Sequence, residues 1–154
     1  MDEKLTYYRV EDRGKLPDKI KSVLEENEEI VIAIIFGSFL TRDKLRDIDI
    51  AIHTSGEIEL EELIRLSSRI EDEIGIPAHM LLLMEMPPCI RYKAITKGLK
   101  ILVRDMKLLH EIQANAFSEC QDLKVIYTSK DTHWLKFSTN AIEKDEASKI
   151  IRCF

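Results

Sequence analysis

The chain has 154 residues, of which 45% are hydrophobic and 33% are charged. This length and composition suit one soluble globular domain and exclude an intrinsically disordered chain. The formal net charge of −5 argues against non-specific attraction to nucleic acid. The longest apolar run, Ile30–Phe36, has seven residues, well below the ~20 that a membrane-spanning helix needs.

Cysteine usage and the first residues indicate a compartment. Cys89, Cys120 and Cys153 are odd in number and far apart, and no Cys-x-x-Cys pair occurs. This pattern predicts neither a disulfide framework nor a structural zinc site, and a reducing cytoplasm is the simplest location. The charged start of the chain is not followed by an apolar segment, which predicts that there is no signal peptide.

The first third of the chain predicts a helix and a buried strand. Residues 1–16 are polar, and we expect them to be partly loose. Pro17 suits the first turn of a helix. An apolar stripe follows at helical spacing: Ile20, Val23 and Leu24. The segment 30–36 is β-branched and apolar on both faces, which predicts a central strand covered on both sides.

A second strand is predicted after a break at Gly37-Ser38 and a short turn or helix. The segment 47–53 alternates strictly with period two. Its two faces carry Ile48, Ile50 and Ile52 on one side, and Asp47, Asp49, Ala51 and His53 on the other.

The second half of the chain continues the alternation of helices and strands. We predict a helix over 57–74, a strand over 79–84, a helix from the Pro-Pro pair to about Lys97, a strand over 99–103 and a long helix to about 127. Residues 128–154 are ambiguous, and a helix over 141–151 is one interpretation. This order predicts an α/β domain with one mixed or parallel sheet and leaves the strand order open.

Two short motifs carry the candidate chemistry: Gly37-Ser38 and, after a gap of eight residues, Asp47-x-Asp49. Gly37 allows a sharp turn and a close approach to a ligand, and Ser38 offers a hydroxyl and an N–H where phosphate can bind. Asp47 and Asp49 should lie on one face, roughly 6–7 Å apart at Cα. Both carboxylates could then reach one divalent cation, and magnesium prefers such oxygens together with phosphate.

The gap between the two motifs is basic. Arg42, Lys44 and Arg46 could offset the repulsion between the carboxylates, contact a triphosphate, or form a solvated loop. Arg42 and Arg46 are therefore candidate nucleotide-binding residues, together with the Gly-Ser pair.

This pattern resembles the signature of polymerase β-type nucleotidyltransferases, in which an apolar strand and Gly-Ser precede Asp-x-Asp on a second apolar strand. Further on, the Pro-Pro helix start and the Lys-Gly end before an apolar strand look like minimal nucleotidyltransferases. These are small proteins usually paired, as antitoxins, with a HEPN-domain toxin. The resemblance covers roughly residues 30–127. It implies the polymerase β-like nucleotidyltransferase fold, an α/β fold with a central mixed sheet flanked by helices.

The resemblance also implies an activity. A nucleoside monophosphate, AMP from ATP, would be transferred to a protein or small-molecule hydroxyl with Mg²⁺ or Mn²⁺ as cofactor. Asp47 and Asp49 would be the catalytic metal ligands, and the acceptor in the antitoxin branch is a tyrosine of the HEPN toxin. We expect a nucleotidyltransferase domain over 1–127, with 128–154 as an extension packed on it, and we leave self-association open.

The sequence departs from the family in two places. The gap after Ser38 is shorter than common and has no second glycine, and the family's third carboxylate falls on His79 when counted back from the Pro-Pro pair. Histidine can bind a metal, although magnesium prefers oxygen. His79 is therefore either a third ligand or a hydrogen-bonded histidine. An alternative function follows, namely a catalytically weak or inactive nucleotide-binding antitoxin module with the same fold. Arg91, further on, is expected on the helix surface.

Overall fold

The computed structural model of the chain describes residues 6–9 and 14–128. The helices in these ranges are α1 (Leu16–Glu25), α2 (Leu60–Ile74), α3 (Pro88–Lys97) and α4 (Met106–Thr128). The strands are β1 (Tyr8–Arg9), β2 (Ile30–Phe36), β3 (Lys44–Leu45), β4 (Ile48–Thr54), β5 (Ala78–Leu82) and β6 (Leu99–Val103). Short 3₁₀ helices span Gly37–Leu40 and Leu83–Glu85. The helix predicted at 141–151, and the extension beyond 128, lie outside the described residues.

The central sheet is mixed, and its strand order is β5-β4-β2-β6. Strand β2 pairs antiparallel with both β4 and β6, whereas β4 pairs parallel with β5. The prediction of a mixed sheet flanked by helices is therefore confirmed. A separate ribbon of β1 and β3, paired Tyr8 to Leu45, was not predicted, because strands of two residues leave no periodic pattern.

One face of the sheet is sealed by α1 and α2. On β4 the three isoleucines that share this face are completely buried, as are Ile20 and Leu24 of α1 and Ile70 of α2. Each buried isoleucine side chain contributes about 1.5–3 kcal/mol of hydrophobic stabilisation. This face therefore supplies the main core.

The other face is covered by α3 and α4. Its core includes Ile34 of β2, Ala51 of β4, Ile95 of α3 and Ile112 of α4. Asp49 belongs to the same face, but it lies near the start of β4, beyond Ala51. The helices thus cover the middle of this face and leave its polar end beside a pocket.

Cys89 and Cys120 form a disulfide between α3 and α4, which corrects the expectation of unpaired cysteines. Their Cα atoms are 4.7 Å apart, although 31 residues separate them in sequence. Cysteine counting failed here because the pair becomes close only when the two helices pack.

Arg91 is buried, not on the surface as expected, with only 6% of its area exposed. Its guanidinium donates hydrogen bonds to the carbonyl oxygens of Leu83, Met84 and Met86 at 2.8–3.0 Å. These bonds give the buried guanidinium the acceptors that it needs and tie it to the backbone between β5 and α3. Arg91 therefore fixes the connection between the edge strand and α3.

Helix α2 begins at Leu60, three residues later than predicted, and β5 ends at Leu82, before the 3₁₀ turn. No helix among the described residues has the length and apolar character needed to cross a membrane.

Candidate functional site

The register of β2 and β4 brings the Gly-Ser bend onto Asp49. Phe36, the last residue of β2, is opposite Asp49, and Gly37 follows it directly. Gly37 has a φ of +78°, a conformation that L-residues with a side chain rarely adopt. A Cβ atom at Gly37 would lie 2.8 Å from Oδ2 of Asp49. Both the backbone conformation and the nearby carboxylate therefore require glycine here.

Ser38 lies in the tight turn that follows. Its carbonyl oxygen accepts hydrogen bonds from the N–H groups of Thr41, at 3.2 Å, and Arg42, at 2.9 Å. These bonds fold the 3₁₀ turn back beside the strand end. The sequence prediction of a sharp turn after β2 thus has a specific backbone basis.

The two aspartates are both half-buried, with Asp47 immediately before β4 and Asp49 within it. Partial burial raises the pKa of Asp49, and the negative charge of Asp47 raises it further, whereas His79 lowers it. The folded chain therefore holds the ionised form of Asp49 at a cost in stability. A bound cation would relieve that cost, and carboxylate oxygens are the donors that Mg²⁺ or Mn²⁺ prefers.

His79 lies beside Asp49 on the neighbouring parallel strand. The two residues are register partners, and Nδ1 of His79 is 3.4 Å from Oδ1 of Asp49, with 61% of the histidine side chain exposed. The structure therefore places His79 at the edge of the acidic pair. Across residues 6–9 and 14–128, no three His, Cys, Asp or Glu side chains converge as a ready metal cage.

A pocket of about 820 Å³ opens above Asp49. The side near the bend is formed by Gly37, Ser38, Thr41 and Arg42, and the opposite wall by α3. Of the predicted nucleotide-binding residues, Arg46 does not line this pocket. It is exposed and immediately precedes Asp47.

The α3 wall contributes residues that the sequence analysis did not select. Ile90, Lys93, Ala94 and Lys97 all line the pocket, and their spacing of three and four places them on one face of the helix. That spacing is visible in the sequence, but the lysines resemble an ordinary solvated helix face until the sheet is assembled.

Gly98 sets how closely α3 approaches the sheet. A Cβ atom there would overlap the carbonyl oxygen of Ala94 and lie 2.5 Å from Cγ2 of Ile34, on β2. The end of α3 therefore rests directly on the central strand, at the edge of the pocket.

Comparisons with known proteins identify the family and the fold. The family model described as polymerase beta, nucleotidyltransferase matches residues 18–107, more than half of the chain and all of the elements that form the pocket. No curated protein matches the chain significantly.

Several solved structures share the fold. A toxin–antitoxin complex with AMP-PNP aligns with a TM-score of 0.61 and 18% identity, covering 71% of this chain and 90% of the matched chain. A tri-AMPylated HEPN toxin from Shewanella oneidensis in complex with an MNT antitoxin gives 0.60 and 16%, with 73% and 90% covered. The MntA–HepT toxin–antitoxin complex gives 0.57 and 16%, with 71% and 88% covered. At these identities the likeness shows a common fold.

Proposed function

Because the chain belongs to the polymerase β nucleotidyltransferase family, we propose that it transfers a nucleoside monophosphate, AMP from ATP, to an acceptor hydroxyl. The observation that carries this proposal is the close approach of the Gly37 turn to the carboxylate of Asp49, both of which line the pocket. A phosphate-binding turn and a cation-binding acid would there act on the same substrate group.

In the proposed reaction the acceptor oxygen attacks the α-phosphorus of the triphosphate. The bond from that phosphorus to the bridging oxygen breaks, pyrophosphate leaves with the bond electrons, and the hydroxyl proton is released to solvent or to a base. Asp47 and Asp49 would hold the divalent cation, and the turn at Ser38 and Arg42 would bind phosphate oxygens. When bound by these two residues, the cation would supply positive charge to neutralise the phosphates.

The proposed acceptor is a side-chain hydroxyl of a HEPN-domain toxin, with this chain as the cytoplasmic antitoxin. The support is the fold shared with antitoxins of MNT–HEPN pairs, one of which accompanies an AMPylated toxin. A small-molecule hydroxyl is the other acceptor compatible with the open side of the pocket.

The test is transfer of α-labelled AMP from ATP to a purified HEPN-domain partner in the presence of Mg²⁺ or Mn²⁺. We expect the double variant Asp47→Asn, Asp49→Asn to lower the rate by about 1,000-fold or more, because several kcal/mol of transition-state stabilisation are removed. Asp72→Asn is the matched control, since Asp72 is exposed on α2, on the opposite side of the sheet. Undiminished transfer by the double variant would exclude this site.

A second candidate is a nucleotide-binding antitoxin without transferase activity. The observation that favours it is His79, which is in register with Asp49 where the family resemblance leads one to expect a third carboxylate. Under this alternative the wild-type chain binds the HEPN partner tightly and transfers no label. His79→Asp would then restore transfer by supplying the missing oxygen ligand or base.

A further inference from the structure

The cleft above Asp49 is cationic although the chain as a whole is acidic. Three basic residues line it, Arg42, Lys93 and Lys97, and one acidic residue, Asp49. The whole chain has a net charge of −5. A single divalent cation would make the local balance still more positive. The ligand of such a cleft must carry several negative charges.

The two lysines point to the part of the ligand that they would bind. Because they are four residues apart, they lie one helical turn apart on the same face of α3, with Cβ atoms about 5–6 Å from each other. That span matches two neighbouring phosphate groups better than one. Among residues 6–9 and 14–128 neither lysine has an ion-pair partner, so both ammonium groups are available to a ligand.

Helix polarity distinguishes the two positions. Lys97 is in the last turn of α3, where a cation also stabilises the negative end of the helix. Lys93 lies one turn earlier, where this effect has faded. Stabilisation of the helix end therefore does not account for a lysine at position 93.

We propose that Lys93 and Lys97 bind the β- and γ-phosphates of a nucleoside triphosphate and position its pyrophosphate half for departure. This inference rests on the proposed function and adds to it a leaving-group site on the α3 wall, opposite the Gly-Ser turn. When the bond from the α-phosphorus breaks, the bridging oxygen keeps the electron pair, so negative charge develops on pyrophosphate. Two ammonium groups stabilise that charge.

The experiment compares the affinities for AMP, ADP and the α,β-non-hydrolysable ATP analogue AMPCPP, measured by calorimetry with Mn²⁺ present. In the wild-type chain affinity should increase with the number of phosphates. Lys93→Gln and Lys97→Gln should each weaken AMPCPP binding about 10-fold, as expected for loss of one charge-assisted contact, and should change AMP binding less than about 2-fold. Lys107→Gln, exposed in the first turn of α4, is the matched control.

Restoration of AMPCPP affinity by Lys93→Arg would support a charge contact, and an unchanged melting temperature would exclude a folding effect. Equal losses for AMP and AMPCPP, or losses no larger than those of Lys107→Gln, would overturn the assignment while leaving nucleotide binding intact. Loss of HEPN-partner binding with unchanged AMPCPP affinity would also overturn it, in favour of a protein contact. A wild-type chain that binds AMPCPP no better than AMP would overturn this inference and the proposed function together.

Discussion

The two faces of β4 illustrate how one strand separates stability from chemistry. Ile48, Ile50 and Ile52 point toward α1 and α2 and are completely buried. On the opposite face, Asp49 is half-buried and has a raised pKa. Alternation with period two makes this separation possible, because adjacent residues serve different layers. The sealed face can therefore stabilise a site whose charges work against folding.

The largest effect should come from opening the sealed face. Ile50→Ala should lower the free energy of unfolding by about 4 kcal/mol, in the upper part of the range for Ile→Ala, because the enclosed strand cannot collapse into the cavity. Urea denaturation monitored by circular dichroism measures the loss. A loss below that of a typical surface substitution would show that the isoleucine face is not the main core.

A disulfide links α3 and α4, the two helices that cover the site face of the sheet. Its removal should have the next largest effect on stability. The double variant Cys89→Ser, Cys120→Ser should lower the free energy of unfolding by about 3–4 kcal/mol, since the disulfide joins residues separated by 31 positions in sequence. The wild-type chain treated with dithiothreitol should match the variant. Identical denaturation midpoints with and without reductant would contradict the prediction.

On the polar face a substitution should increase stability. Asp49→Asn removes the repulsion from Asp47 and the cost of burying charge, so without metal it should stabilise the fold by about 0.5–2 kcal/mol. Because the pKa of Asp49 is raised in the folded state, that state binds the proton more tightly than the unfolded one. The contribution of Asp49 to wild-type stability should therefore fall as pH rises through the pKa of an ordinary aspartate and then that of Asp49.

The pH dependence of the stability difference between the wild type and Asp49→Asn is the control. Thermal melts of the wild type and of Asp49→Asn should differ more at pH 7 than at pH 4, because ionisation of Asp49 increases with pH. A variant less stable than the wild type at pH 7 would show that the carboxylate is a net stabilising group.

The smallest effect is expected at the edge of the site. His79 is mostly exposed, and its contact with Asp49 is long at 3.4 Å. His79→Ala should change the free energy of unfolding by no more than about 0.5 kcal/mol. A loss of more than 2 kcal/mol in a thermal or urea melt would indicate that the histidine has a structural role.

Sequence reasoning succeeded where one periodic pattern dominates a segment. The apolar run of β2 and the alternation of β4 were sufficient to predict both strands. The sequence does not contain the register, which depends on bulges near Ile32 and between Ala33 and Ile34. Contact between Gly37 and Asp49 could be expected only from the family resemblance.

The residues that sequence reasoning missed have roles that depend on partners distant in the chain. Arg91 resembles any helical arginine until the carbonyl oxygens of the preceding turn surround it. Cys89 requires α4 to be packed against α3. Lys93 and Lys97 lie on a helix whose apolar positions already explain its packing, so their chemistry became visible only when the pocket was formed.

Gly98 has a consequence for the dimensions of the cleft. Nothing larger than a hydrogen atom fits between the end of α3 and Ile34. Gly98 therefore determines the distance between α3 and the central sheet. Any side chain there would lift the helix from β2 and carry its ammonium groups away from the carboxylates across the opening. The distance between the lysines of α3 and the carboxylate of Asp49 thus depends on Gly98, which need not contact the substrate itself.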